Sequence, residues 1–199
     1  GFARGHCKEH NYRFNNELVV PPGGTEKINR VEKFLSLAAH LGVSVEGAGY
    51  RLPETRESRE RVNAYLAAQG LARYAAIHPG TSDFGALKRW KTERFAALAE
   101  RIGRETPLKP VITWGPGERG LAEEIVAGSH GQAVLAMETR TILDLAELIR
   151  TARLYVGCDS GPLHLSSAVS TPSVALFGPK DPRTYGPYNP RHRIVLKGD

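Results

Sequence analysis

The chain has 199 residues, a formal net charge of +6 and a sequence pI of about 9.5. Its 41% hydrophobic and 24% charged residues are typical of a globular protein, and no apolar run approaches the ~20 residues that a membrane helix needs. The positive charge predicts attraction to anions, but the interleaved aromatic residues of a nucleic-acid-binding surface are not evident, so a nucleic-acid partner is not expected. The two cysteines, Cys7 and Cys158, form no disulfide framework, which fits a reducing cytoplasm.

Residues 1–70 are predicted to begin irregularly and to continue as helices. A short strand candidate covers Glu17–Val20, and helices are expected from Thr25 to Leu41 and from Arg56 to Gln69. The chain does not begin with methionine, so Gly1 is interpreted either as an internal residue of a longer protein or as a residue added by cloning.

Short apolar strands alternate with helices from Arg73 onward. The predicted strands are Tyr74–His78, Pro110–Trp114, Ala133–Met137, Leu154–Gly157 and Ser173–Phe177. The predicted helices are Thr92–Arg104, a helix that follows Glu118 through Ala127, Ile142–Thr151 with a capping-box pair at Thr141 and Asp144, and Leu163–Val169. This pattern indicates a doubly wound α/β domain with a parallel sheet, in which ligands bind at the carboxyl ends of the strands.

The segment from Asp159 to His164 follows one of these strands and opens a helix. Gly161 permits a tight turn, and Pro162 suits the first helical position. The free amides and the positive end of the helix dipole then form an anion site, flanked by Asp159 and His164. The alternative is an ordinary strand–helix turn in which Asp159 is only a helix cap, and both interpretations stay open on this segment alone.

The loop after the first strand, His78 to Trp90, contains candidate phosphate ligands. Thr81 and Ser82 offer hydroxyl groups, and Lys88 with Arg89 supplies the charge that a leaving diphosphate needs. The alternative for the basic pair is a solvated surface. The glycine spacing is that of a P-loop, but the Lys-Ser/Thr that must follow the second glycine is missing, which excludes that motif.

Glu118 follows a Gly-Pro-Gly turn between a strand and a helix, where it either accepts hydrogen bonds from a ribose or favours the helix dipole. No GxGxxG fingerprint, metal-ligand spacing or Gly-x-Ser-x-Gly elbow is found. A dinucleotide cofactor, a metal site and a serine hydrolase are therefore not expected.

Several motifs occur together in a characteristic order. They are His78-Pro79-Gly80-Thr81, Phe84-Gly85, Lys88-Arg89-Trp90, Asp159-Ser160-Gly161-Pro162-Leu163-His164-Leu165, Ala175-Leu176-Phe177-Gly178-Pro179 and Gly186-Pro187. In this order they resemble glycosyltransferase family 9, the ADP-heptose:lipopolysaccharide heptosyltransferases, and the Phe-Gly-x-x-Lys-Arg-Trp form is similar to the heptosyltransferase II subgroup.

The resemblance implies a GT-B architecture with two Rossmann-like domains. Residues 71–199 would be the C-terminal, nucleotide-sugar-binding domain, and residues 1–70 a remnant of the N-terminal acceptor domain with its linker. The family's proposed base is an aspartate in a region that this chain lacks, so the chain alone is expected to be inactive.

The resemblance also implies the roles of particular residues. Lys88 and Asp159 would be catalytic, Glu118 would bind the adenosine ribose, and the other donor-binding residues would be Thr81, Ser82, Ser160, Gly161 and His164.

The implied reaction is transfer of heptose from ADP-heptose to the lipopolysaccharide inner core, with inversion and without a metal or cofactor. The acceptor would be anionic, and the enzyme would be cytoplasmic, in peripheral contact with the inner membrane. Two alternatives remain, namely a non-catalytic nucleotide-sugar-binding domain and a GT-B enzyme that uses another nucleotide sugar.

Overall fold

The computed structural model describes residues 1–7, 10–24, 26–50, 52–81 and 83–196. The chain forms two compact units. The first comprises residues 1–49 and 181–188, and the second comprises residues 50–180 and those from 189 onward. The expected division at residue 70 into a remnant and a nucleotide-sugar-binding domain stays a prediction.

The second unit is built on a six-stranded sheet with the order β3-β2-β1-β4-β5-β6, in which every pairing is parallel. The strands are β1 Tyr74–His78, β2 Lys109–Ile112, β3 Val134–Leu135, β4 Leu154–Cys158, β5 Ser173–Phe177 and β6 His192–Leu196. The prediction of a Rossmann-like doubly wound sheet is confirmed. Strand β6 was not predicted from the sequence.

Helix α2, Arg56–Ala68, precedes β1, and the other helices connect successive strands in the expected order. They are α3 Thr92–Glu105, α4 Arg119–Gly128, α5 Ile142–Thr151 and α6 Gly161–Ala168. Helix α3 packs against α4, whereas α5 packs against α2 and α6. The sheet extends from β1 to β3 in one direction and from β4 to β6 in the other. Right-handed crossovers therefore place helices α3 and α4 on one face of the sheet, and helices α5 and α6 with α2 on the other.

The core lies between the sheet and its helices. All of β1 is buried, and so is Phe95 of α3, with Trp90 packed edge-to-face on Phe95 at 5.3 Å between ring centroids. One part of the sheet is more open. A cavity of about 650 Å³ lies among α3, β4, β5 and β6, lined mainly by aliphatic side chains such as Leu98, Val174 and Leu176.

The first unit contains helix α1 Arg30–His40 and the short helix α7 Pro182–Tyr185. Helix α1 begins later than predicted because Asn29 caps it, its side-chain oxygen accepting a hydrogen bond from the Val31 amide. The predicted start, Thr25, lies outside the described residues. The strand expected over Glu17–Val20 is wrong in extent, because only Val19 pairs, in a single bridge with Phe2. None of the helices in the described residues has the length and apolar composition of a membrane-spanning helix.

Helix α5 is fixed by the predicted capping box and by an ion pair. Thr141 Oγ1 accepts from the Asp144 amide, and the Asp144 carboxylate accepts from the amides of Arg140 and Thr141. Arg61 of α2 lies 2.5 Å from the same fully buried carboxylate. Burial alone would raise the pKa of Asp144, but the hydrogen bonds from Ser58, Arg61 and the two amides outweigh burial and lower it to about 2.

The Asp144 site makes stability depend on acid pH. The folded pKa lies below the unfolded value, so the stabilisation is complete above about pH 4 and is lost as the pH falls toward 2. We expect Asp144→Asn to lower the free energy of unfolding at pH 7 by roughly 2–3 kcal/mol, and this difference from wild type to shrink toward pH 2 in urea titrations. The control Glu105→Gln, which disrupts the exposed Arg101–Glu105 pair, should leave the stability close to that of wild type at both pH values. A difference that is the same at pH 7 and pH 2 would contradict this account.

Candidate functional site

The candidate site lies where β1 and β4 end. These strands are neighbours, and His78 at the end of β1 is in register with Gly157 of β4. The loop that follows β1 and the turn that follows β4 therefore emerge side by side at the carboxyl edge of the sheet, the usual position of ligands in open α/β sheets.

An ion pair between Lys88 and Asp159 joins the two segments. Lys88 Nζ lies 2.6 Å from Asp159 Oδ2 and 3.4 Å from the main-chain oxygen of the same residue. The Asp159 side chain is only 7% exposed, whereas that of Lys88 is 25% exposed. The cation is thus held in place by a buried carboxylate while part of it stays accessible to a ligand.

The N-terminus of helix α6 is open. Its N-cap is Ser160, whose side chain makes no capping hydrogen bond, and Pro162 lies in the first turn. The alternative in which Asp159 only caps this helix is therefore wrong, because its carboxylate pairs with Lys88 instead. Gly161 does not adopt a positive φ, and a side chain built there would meet no atom of the described residues within 4 Å. The space in front of the first turn is thus free for an anion.

His164 lies one turn further along α6 and responds electrostatically to the same ion pair. Burial lowers the pKa of His164, the charge of Asp159 opposes this effect, and the charge of Lys88 adds to it. His164 therefore lies within electrostatic reach of Lys88 and Asp159, and its role in a site stays a prediction.

Thr81 and Arg89 stabilise the loop that carries Lys88. The buried Thr81 hydroxyl donates to the Gly85 carbonyl at 3.0 Å, and the Arg89 guanidinium donates to the Thr81 carbonyl at 2.9 Å. The interpretation of Lys88-Arg89 as a merely solvated pair is therefore wrong. Since the Thr81 proton is already used, a phosphate would have to replace Gly85 as its acceptor. The other predicted hydroxyl, Ser82, lies outside the described residues.

Glu118 lies beside the same edge, at the turn after β2. Its Oε2 accepts from the Gly115 amide at 2.9 Å and lies 3.5 Å from Nε2 of His78. Glu118 is the N-cap residue of α4, but its side chain makes no capping hydrogen bond there.

His78 was not among the predicted site residues. It is buried, its Nδ1 lies 3.1 Å from Thr113 Oγ1, and burial lowers its pKa to about 4. Its sequence signals are its place in the His78-Pro79-Gly80-Thr81 motif and its position at the end of an otherwise apolar strand. Within the described parts of the chain, no group of three or more His, Cys, Asp or Glu side chains is arranged to hold a metal ion.

Comparison with known proteins identifies the family. The model of glycosyltransferase family 9 (heptosyltransferase) matches residues 1–199, and the chain belongs to this family. Lipopolysaccharide heptosyltransferase 3 of Escherichia coli is 31% identical over 176 residues, which cover 86% of this chain and 50% of that protein. Lipopolysaccharide heptosyltransferase 1 of Pseudomonas aeruginosa is 33% identical over 113 residues, covering 56% of this chain and 31% of that protein. The chain thus spans half or less of the length of these relatives.

Solved structures share the fold. A family 9 glycosyl transferase from Veillonella parvula superposes with a TM-score of 0.80 at 24% identity. The match covers 93% of this chain and 53% of that protein. The E. coli heptosyltransferase WaaC with ADP gives a TM-score of 0.67 at 20% identity over 94% of this chain and 55% of its own. The predicted α/β fold is thereby confirmed as that of the heptosyltransferases.

The electrostatic coupling of His164 to the ion pair is testable by NMR. Asp159→Asn should lower the pKa of His164 further, because it removes the charge that opposes burial, whereas Lys88→Ala should raise it. Titration of the His164 ring signals measures both shifts, and Glu105→Gln on the exposed surface of α3 should leave the titration unchanged. Shifts of the same sign in the two site variants would show that the cluster is not arranged as described.

Proposed function

We propose that this chain binds the nucleotide-sugar donor in an enzyme that transfers heptose from ADP-heptose to the lipopolysaccharide inner core. Membership of the heptosyltransferase family and the names of the relatives support this proposal. The observation that carries it is the Lys88–Asp159 ion pair beside the uncapped N-terminus of α6. A cation and free amides that face the same open space are the groups that a diphosphate requires.

The diphosphate of the donor lies, in this proposal, against the first turn of α6 and Nζ of Lys88. Gly161 leaves room for the phosphate oxygens, and Ser160, Thr81 and Ser82 add hydroxyl donors. Lys88 has three N–H groups, so it can keep its contact with Asp159 while it donates to phosphate. Asp159 and His164 then face the heptose, and Glu118 receives the ribose hydroxyl groups.

The proposed reaction is a direct displacement with inversion and without a metal. The acceptor hydroxyl oxygen forms a bond to C1 of the heptose while the bond from C1 to the diphosphate oxygen breaks. The diphosphate leaves with that electron pair, and Lys88 and the α6 amides stabilise the charge that develops on it. The acceptor proton passes to a general base, which we assign to an aspartate of the acceptor-binding domain. We propose that this chain by itself binds the donor without transferring heptose, because transfer also requires that base.

The net charge of +6 supports an anionic partner. We accordingly propose a phosphorylated lipopolysaccharide core as the acceptor and the cytoplasmic face of the inner membrane, in peripheral contact, as the place of reaction.

Nucleotide binding tests the donor site directly. We expect ADP to bind the chain more tightly than GDP or UDP in calorimetric titrations, and to shift the NMR signals of Lys88, Glu118 and the Asp159–His164 turn. Lys88→Ala should weaken ADP binding by about ten- to hundredfold, because it removes a charge-assisted contact worth roughly 1.5–3 kcal/mol. Lys109→Ala is the matched control, since it removes a partly exposed lysine at the amino end of β2, away from the site. Equal binding of ADP by both variants would remove Lys88 from the site.

Asp159→Asn separates a role in transfer from a role in folding. The variant keeps the size of the side chain and Asp159 is not the cap of α6, so we expect the melting temperature to stay close to wild type. Heptose transfer by the protein expressed from its complete gene should fall by about a hundredfold or more, because Lys88 loses the charge that orients it. Transfer at the wild-type rate would leave Asp159 a structural role only.

A further inference from the structure

The Glu118 carboxylate contacts two polar groups and packs against the backbone of a glycine. Oε2 accepts from the Gly115 amide, and the imidazole of His78 lies 3.5 Å from the same oxygen. A side-chain carbon built on Gly80 would come within 2.2 Å of the carboxylate atoms, so this position of Glu118 requires glycine at residue 80. The Glu118 side chain is 20% exposed, and within the described part of the chain Oε1 accepts no hydrogen bond. One oxygen is thus anchored while the other can receive a ligand.

A buried chain of polar groups stands behind this carboxylate. His78 Nδ1 lies 3.1 Å from Thr113 Oγ1, and both residues are almost completely buried. The carbonyl of Ile77 receives the Thr113 amide at 2.8 Å and also lies 3.2 Å from the Thr113 hydroxyl. Because burial lowers the pKa of His78 to about 4, its ring is neutral near pH 7 and has one N–H group.

The position of that proton follows from the neighbouring groups. With the proton on Nδ1, the lone pair of Nε2 would face a carboxylate oxygen, and two acceptors would oppose each other. With the proton on Nε2, the Thr113 hydroxyl donates to Nδ1 and His78 donates toward Glu118, while Ile77 keeps the Thr113 amide as its donor. The second arrangement avoids two facing acceptors and turns the His78 N–H toward Glu118, so we assign the Nε2–H tautomer.

We propose that His78 and Thr113 are positioning residues that hold the Glu118 carboxylate to receive two neighbouring hydroxyl groups of a ribose. This inference rests on the proposed nucleotide site and adds residues behind it. The His78–Glu118 distance of 3.5 Å in the free protein shortens to a hydrogen bond when a ligand draws the carboxylate into place. A carboxylate that is already oriented loses less side-chain freedom on binding, which favours affinity by about two- to tenfold.

The test compares ADP with 2′,3′-dideoxy-ADP, which lacks both hydroxyl groups, by calorimetry. Wild type should prefer ADP by about tenfold or more, and Glu118→Gln should reduce that preference. His78→Asn and His78→Gln form a matched pair, because the asparagine amide reaches only as far as Nδ1, toward Thr113, whereas the glutamine amide reaches as far as Nε2, toward Glu118. We expect Asn to reduce the preference to about twofold and Gln to retain most of it. Thr113→Val should reduce the preference as His78→Asn does, and Thr113→Ser should retain the wild-type preference.

Thermal melting of each variant confirms that it is folded, and the preference for ADP over its dideoxy analogue is a ratio that a general loss of folded protein does not change. An unchanged preference in both His78→Asn and Thr113→Val would overturn the positioning role. Imidazole ¹⁵N spectra provide a second readout without ligand. They should show the proton on Nε2 of His78 and a shift of that proton signal in Glu118→Gln. A proton on Nδ1 would refute the inference even if ADP binds, whereas failure of ADP to bind wild type would refute the nucleotide site and leave the tautomer result to decide the contact.

Discussion

The parallel pairing of β1 with β4 is the constraint on which the site depends. It sets His78 opposite Gly157, so that the loop after β1 and the turn after β4 leave the sheet at the same level. Lys88 and Asp159, which are 71 residues apart in sequence, can then meet at 2.6 Å. The pairing of β1 with β2 on the other side brings Thr113 and Glu118 to His78 in the same way. One strand thus aligns both halves of the site.

The fold could be predicted where burial leaves a clear pattern. The central strands are continuously apolar, and β5 was predicted with its observed bounds, Ser173–Phe177. The edge strand β6 was missed because it begins with His192 and Arg193 and is mostly exposed, so its residues do not read as a core. The strand predicted over Glu17–Val20 was wrong for the opposite reason. It has strand-forming residues, but a strand is defined by its partner, and only Phe2 pairs with it.

Parts of the candidate site could be predicted where they lie in segments with an unusual local order of residues. The Asp-Ser-Gly-Pro turn and the Lys-Arg-Trp segment are distinctive in sequence, and the structure brings Lys88 and Asp159 together. The contact between His78 and Thr113 could not be found in this way, because Thr113 belongs to none of the motifs and the two residues are 35 positions apart. The requirement for glycine at residue 80 could not be predicted from the sequence either. It depends on a carboxylate from another loop that occupies the place of its missing side chain.

The two halves of the site differ in how they prepare for a charged ligand. At Lys88 the cation is neutralised beforehand by Asp159, so a diphosphate gains attraction only from the N–H groups and helix amides that the pair leaves free. This arrangement exchanges some affinity for a fixed geometry, because an unpaired lysine would move among many rotamers and fix no phosphate position. At Glu118 a neutral imidazole orients the carboxylate without cancelling its charge, so its full strength as an acceptor remains for hydroxyl groups. In the proposed site, a ligand with phosphate at one end and neighbouring hydroxyl groups at the other would match both halves, whereas inorganic diphosphate would engage only the first.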